Sequence, residues 1–539
     1  MNKCVKKWSF YDGMDEVTLH VDLGGLEDLR GLDTKDDSLA PGSLMTDTLT
    51  PPIPRAGTKT EHTLALPQGD LRYTVSAEWQ ILYEQEKPVA EMFHVAYIAA
   101  VETTAPRSLT FVFNGGPGAA SAYLHMGALG PTRIAFGENG SLPKPPVQLA
   151  DNLESWLSFT DLVFIDPIGT GFSRSLPSDK ATDEKEGSTD SKTPKETEFW
   201  EVERDLKSLG EFIQRFLSRQ KRWLSPIFIA GESYGGFRVA RLARKLQQDF
   251  GIGLSGAILI SPALEFSLLG GSDYDLTSWA TLLPSLAASA AHHDRAQWAG
   301  NPGDLQAHTA AAERFALKTL IPLLAAGDLS TSDERQVAYQ QLAGLIGLPL
   351  ALVERQSGRV DIEVFARELL RDQQRIVGLY DASLTAIDPF PDRIHYEGID
   401  PTLDGIDRLF TGAINSHLRD TLAIETDLSY HLLNYEVFKA WKFDLKGELR
   451  QGFIGAVDDL RIGMTLNPYM QVYITHGFFD LVTPYFASNH LAALMKLDPE
   501  LRPNLTLQHY EGGHMFYTWE RSRQQWFAAM QAFYQHATA

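Results

Sequence analysis

The chain has one cysteine, Cys4, in 539 residues. No internal disulfide can form, so the fold does not depend on an oxidising compartment. Long apolar runs are missing too: no stretch approaches the ~20 residues that a membrane span needs. The first residues, MNKCVKKWSFYDGMDEV, are basic in part but have no apolar segment behind them, and do not read as a secretory leader. A cytoplasmic location is expected on these grounds, with export the alternative if the true start lies upstream. Basic residues are the minority, 48 against 69 acidic, for a formal net charge of −21. That balance disfavours nucleic acid and anionic membranes as partners. Metal-site spacing is also absent. His292 and His293 are adjacent, and no cluster of His, Asp and Glu has zinc-like intervals. Neither metal nor cofactor is expected, and the oligomeric state is not legible.

The remainder reads as an ordinary globular protein, 44% hydrophobic and 22% charged. Its length exceeds that of one typical domain, which points to a large core with an insertion. Residues 1–60 are polar, end in TPPIPR, and read as an extended arm. Residues 61–265 read as the first part of an α/β core. It opens with antiparallel strands in LRYTVSAEWQILY and AEMFHVAYIAAVE. The short apolar runs LTFVFNGG, DLVFIDP, PIFIAGES and GAILISP follow, as expected of strands buried on both faces of a parallel sheet. Phe199, Val202, Leu206, Leu209, Ile213 and Phe216 recur at helical spacing between the second and third runs. Another helix should run through Val239, Leu242 and Leu246. Residues 177–198 lack any sizeable apolar side chain and read as a mobile loop. Residues 266–460 lose the strand signal and read as a mainly helical cap insertion, expected to lie over the mouth of the site. Residues 461–539 resume the core, with a helix near 485–496 and a last one from about 518.

The candidate site begins at Gly231-Glu232-Ser233-Tyr234-Gly235, a G-x-S-x-G match between a buried run and a helical pattern. A nucleophilic serine needs a sharp strand-to-helix turn, with glycines where side chains would collide with neighbouring backbone. The alternative for Ser233 is an ordinary helix cap. A serine also needs a base, and an acid to orient that base. In this order of elements the acid and then the histidine follow the serine. VYITHGFFDLVTP offers Asp480 just past a strand, and LQHYEGGHMFY offers His514 in the next Gly-rich turn. His476 and His509 compete but lie nearer strands. The N–H of Tyr234 and that of Gly116, in FVFNGGPGAAS, are the candidate oxyanion donors.

NGGPG (114–118), DPIGTGFS (166–173), GESYGG (231–236), GFFDLVTP (477–484) and GGHMFY (512–517) together resemble the serine carboxypeptidase family of α/β-hydrolases. The resemblance is to bacterial carboxypeptidase-related members more than to plant or fungal vacuolar ones. It covers about 105 to 535 apart from the insertion. It implies an α/β-hydrolase fold and removal of single residues from peptide C-termini, with Ser233, Asp480 and His514 as the triad. Peptides would then be the substrates. It also implies that Asn114, Gly115 and Glu232 bind the substrate's terminal carboxylate. Three positions depart from the family: Val112 stands for its usual Trp, Ala119 for a Cys and Ala128 for a second Glu. With that Glu missing, Glu232 is expected to ionise at lower pH and carboxylate selectivity to be weak, unless another acid such as Glu138 takes its place. An esterase or acyltransferase on the same scaffold, and an inactive binding protein, are the alternative readings.

Overall fold

The structure, a computed structural model, describes residues 55–101, 105–176, 195–393, 398, 400–443 and 454–539. Cys4, the polar arm before residue 55 and the polar loop before residue 195 lie outside them.

The four continuous apolar runs form β4 (Leu109–Phe113), β5 (Asp161–Ile165), β6 (Ile227–Glu232) and β7 (Gly256–Ile260), and β8 (Gln471–Gly477) and β9 (Leu505–Tyr510) complete the parallel part of one sheet. Every residue of β4 to β8 is buried, as sheets covered on both faces require. Ahead of them come β1 (Thr58–Leu66), β2 (Gly69–Glu84) and β3 (Lys87–Ala99), paired antiparallel. β2 alternates, burying Val75, Ala77 and Trp79 between more exposed neighbours. The order across the sheet is β1-β2-β3-β5-β4-β6-β7-β8-β9, with the short Arg174–Ser175 strand also paired to β3. This is the α/β-hydrolase architecture expected above.

Helices cover both faces. α1 (Val202–Arg219) turns Leu206, Leu209, Ile213 and Phe216 into one core, and α2 (Tyr234–Phe250) adds Val239, Leu242 and Leu246 to it. A second core, on the other face, takes Trp526, Met530 and Phe533 from the last helix, Glu520–Thr538. A third core lies within the segment between β7 and β8. It is built around the largely buried helix Thr277–His292, which carries no Asp, Glu, Lys or Arg, and it takes in Phe479, Leu481 and Tyr485 from the chain after β8. That segment also carries a small antiparallel pair, Arg375–Val377 with Thr385–Ile387. Helix Val457–Leu466 crosses residue 460 and packs on α2, so by packing it goes with the sheet. Among the described residues no helix is long and apolar enough to cross a membrane.

The parallel strands deliver their following turns to one end of the sheet. Asn114 follows β4, Ser233 β6, Asp480 β8 and His514 β9.

Candidate active site

Ser233 stands between the buried Glu232 and Tyr234 but is itself partly exposed. Its φ of 60° and ψ of −124° are rare for a residue with a Cβ, a strain of ~1–3 kcal/mol that neighbours must hold. They do so through backbone bonds. Ser233 N–H donates to the Ile260 carbonyl at 2.9 Å, and the Ser233 carbonyl accepts from Gly236 and Ala263 at 2.9 and 3.2 Å. The side chain makes no capping bond to α2, which counts against the helix-cap alternative.

The turn after β4 crosses directly over this one. A Cβ on Gly115 would lie 2.5 Å from the Tyr234 nitrogen and 2.7 Å from the Glu232 carbonyl oxygen, so only glycine permits the approach. Tyr234 is the first residue of α2, and its N–H has no acceptor within the helix. The crossing thus brings Gly115, next to Gly116 in the chain, against the Tyr234 N–H at the positive end of a helix. Arg238 holds the turn from below. Its guanidinium donates to the Asn114 carbonyl at 2.6 Å and pairs with Asp205 at 2.7 and 3.1 Å, all three groups being buried.

Asp480 and His514 form a hydrogen-bonded couple, Nδ1 to Oδ2 at 2.7 Å. Asp480 also accepts from the Val482 and Thr483 amides at 2.9 and 3.0 Å and from the Thr483 hydroxyl at 2.7 Å. Burial opposes charge on His514, but Asp480 and then Glu232 outweigh it and raise its pKa above 6.5. The chain from Ser261 to Ala263 links this couple to the serine. Ser261 Oγ donates to the His514 carbonyl at 2.8 Å while Ala263 holds the Ser233 carbonyl. A histidine tied through Nδ1 to a carboxylate can take and return a proton at Nε2.

The segment between β7 and β8 braces both partners. Leu481 donates to the Leu379 carbonyl at 3.1 Å, Ala382 to that of Phe479 at 2.9 Å and His514 to that of Tyr380 at 2.5 Å. On the other side it meets the Gly-rich turns: Ala120 donates to the Leu432 carbonyl and Asn434 to that of Gly118.

Glu232 departs from expectation. It is 2% exposed, and burial pushes its carboxyl up to about 7 against the opposing pull of His514, Tyr517 and Asn114. The missing second acid therefore does not let Glu232 ionise early, because desolvation outweighs the lost repulsion. Glu138 is exposed after Ile134 and takes no part in the surroundings of Glu232. The Asn114 side chain is already engaged, donating to Glu232 Oε2 at 2.5 Å and accepting from the Leu124 amide at 3.1 Å.

The competing histidines are spoken for. His476 bonds the Thr483 carbonyl at 3.0 Å and the Ser488 hydroxyl at 2.8 Å, and burial lowers its pKa strongly. His509 meets Asn489 at 2.8 Å, and burial pushes it down to about 3. His293 bonds the Ala382 carbonyl at 2.7 Å. Sequence reasoning missed Thr483, Arg238 and Tyr380. Thr483 carried a signal, a hydroxyl three residues after an Asp at a strand end. So did Arg238, a charge one turn before Leu242 on the apolar face of α2. Tyr380, which packs edge-on to His514 at 5.3 Å between ring centres, carried none.

Residues 74–265 match the serine carboxypeptidase family. The chain is 27% identical over 201 residues to serine carboxypeptidase-like 13 of Arabidopsis thaliana, covering 36% of this chain and 41% of that protein. It is 26% identical over 211 residues to the pheromone-processing carboxypeptidase kex1 of Schizosaccharomyces japonicus, covering 38% and 35%. The chain thus spans less than half the length of these curated relatives. Neither supports the expected nearness to bacterial members. The prohormone-processing carboxypeptidase of Saccharomyces cerevisiae superposes with a TM-score of 0.50 at 16% identity, covering 86% of this chain and 91% of that one. That likeness is one of fold, the α/β-hydrolase fold.

Proposed function

We propose that this α/β-hydrolase, similar to the serine carboxypeptidases over residues 74–265, is a serine-type carboxypeptidase acting on peptides. The observation that carries the reading is the strained Ser233 turn set at one end of the sheet with the His514–Asp480 couple. Ser233 Oγ attacks the carbonyl of the last peptide bond and His514 takes its proton. The imidazolium gains from the Asp480 carboxylate, which also holds the ring orientation. The tetrahedral oxyanion falls to the Tyr234 and Gly116 N–H groups, which are oriented before the reaction. His514 then gives its proton to the leaving amine, and the C-terminal amino acid departs. Water attacks the acyl-enzyme by the same route and frees Ser233.

A cavity of about 350 Å³ is lined by residues between β7 and β8, including Asp407, Tyr430, Leu433 and Tyr435, and Leu433 bridges to Ala119 beside the oxyanion turn. We place the substrate's side-chain pocket there. A fold with one cysteine suits a reducing compartment, which supports a cytoplasmic place.

The test is turnover of blocked dipeptides together with labelling by a fluorophosphonate probe. Ser233→Ala and His514→Ala should each lower kcat by ~10⁶-fold and Asp480→Ala somewhat less, because the three act as a unit. Ser233→Ala should also abolish labelling while the protein stays folded. Retention of most activity by Ser233→Ala would refute the assignment, and turnover of esters without release of amino acids would point to an esterase.

A further inference from the structure

Glu232 Oε1 and the Tyr517 hydroxyl, near the serine and histidine turns, are buried with no partner at good hydrogen-bond geometry, and each acts on the other's ionisation. Glu232 is 2% exposed and Tyr517 is not exposed at all. A buried polar group left unpaired costs ~1–3 kcal/mol, and a phenylalanine would fill the same space without that cost. Two such atoms, carried by neighbours of Ser233 and His514, point to a pair that serves the site.

Their placement supports this. Glu232 precedes Ser233, and Tyr517 follows His514 by three residues in the turn Phe516–Thr518. The two groups feel each other electrostatically. The Tyr517 ring fits because the π-helical turn His125–Leu129 offers little side chain towards it. A Cβ on Gly127 would lie 2.9 Å from Tyr517 Cε2, and the next residue is Ala128. No acid comes from that turn. The groups that act on Glu232 are His514, Tyr517, Asn114 and Asp480. Among them Tyr517 is the phenol, and its hydroxyl has no other partner.

We propose that Tyr517 is a positioning residue for Glu232 in recognition of the substrate's terminal carboxylate: the phenol orients the carboxyl from one side while Asn114 holds it from the other. This rests on the carboxypeptidase reading. A phenol stays neutral across the working range. Recognition of the free acid therefore follows one proton, that of Glu232, and no coupled pair of acids. It is strong while Glu232 is neutral and fades as that group ionises and repels the substrate. Selectivity for the free acid is thus kept at low pH without a second glutamate.

The experiment compares kcat/KM for matched peptides with free and amidated C-termini, from about pH 4 to about pH 8, in wild-type protein and Tyr517→Phe. The ratio of the two cancels the titration of His514. Tyr517→Phe should raise KM for the free acid by ~10-fold at low pH and leave kcat and the amidated peptide unchanged. It should also move the alkaline limb of the ratio upward, because the phenol's pull towards the carboxylate form of Glu232 is lost. Glu232→Gln, which cannot ionise, should abolish that limb and guards against a folding defect in the first variant. A fall in free and amidated substrates together would make Tyr517 a packing residue, and an unmoved limb would equally overturn the proposal. If wild-type protein does not distinguish the two peptides at any pH, the carboxypeptidase reading itself fails.

Discussion

Glu232 is neutral at low pH because burial makes its charged form costly, and that has a consequence for stability. Its carboxyl lies at about 7 in the folded chain against 4.5 when solvated. A folded value above the unfolded one gives a contribution that is complete below 4.5 and is lost as pH rises towards 7. The loss is ~3 kcal/mol in magnitude by the usual conversion. Glu232→Gln removes the ionisation, so its Tm should exceed that of wild type near pH 8 and match it near pH 4. Equal Tm values at both would show that Glu232 is already solvated. Arg238 illustrates the converse. Its charge stays buried because Asp205 neutralises it, and the remaining donor fixes the Asn114 carbonyl under the oxyanion turn.

Two turns, each too tight for ordinary side chains, lie against each other, and each shapes the other. The strained Ser233 elbow leaves no room above it, and Gly115 passes where a Cβ would meet the Tyr234 amide at 2.5 Å. Gly115→Ala should therefore push the turn after β4 away and separate the Gly116 and Tyr234 N–H groups. We expect kcat to fall by ~10²–10³-fold, the cost of losing one oxyanion donor, with a smaller effect on KM. An unchanged kcat would mean that the second donor lies elsewhere.

Across the whole molecule, the segment between β7 and β8 works as a brace. Its core continues into Phe479 and Leu481 on either side of Asp480, and its backbone binds the acid loop and the histidine loop through Leu379, Tyr380 and Ala382. Loops that share one core open together. The amides of Ala382, Leu481 and His514 should then exchange with solvent at similar free energies in the native protein. High protection at His514 with rapid exchange at Ala382 would show that the brace does not couple them.

Much of this was already written in local patterns. Continuous apolar runs marked β4 to β7, because a strand covered on both faces is apolar nearly throughout. Glycines flanked Ser233, and Asp480 and His514 followed in order, because strand ends with turns are short-range features that adjacent residues specify. What local pattern could not carry was anything that depends on distant residues meeting. The raised carboxyl of Glu232 comes from a desolvation that no neighbour in sequence reports, and reasoning from the absent acid at Ala128 left that burial out. Tyr517 drew no notice within GGHMFY, since its meaning lies in the empty side of a turn nearly 400 residues earlier. Tyr380 was an ordinary residue of the insertion until the fold laid it on His514. Composition, periodicity and spacing thus determined the sheet and the order of the site residues. Burial, close approach and the charge of buried groups were decided by the tertiary structure, because they are properties of what surrounds a residue in space.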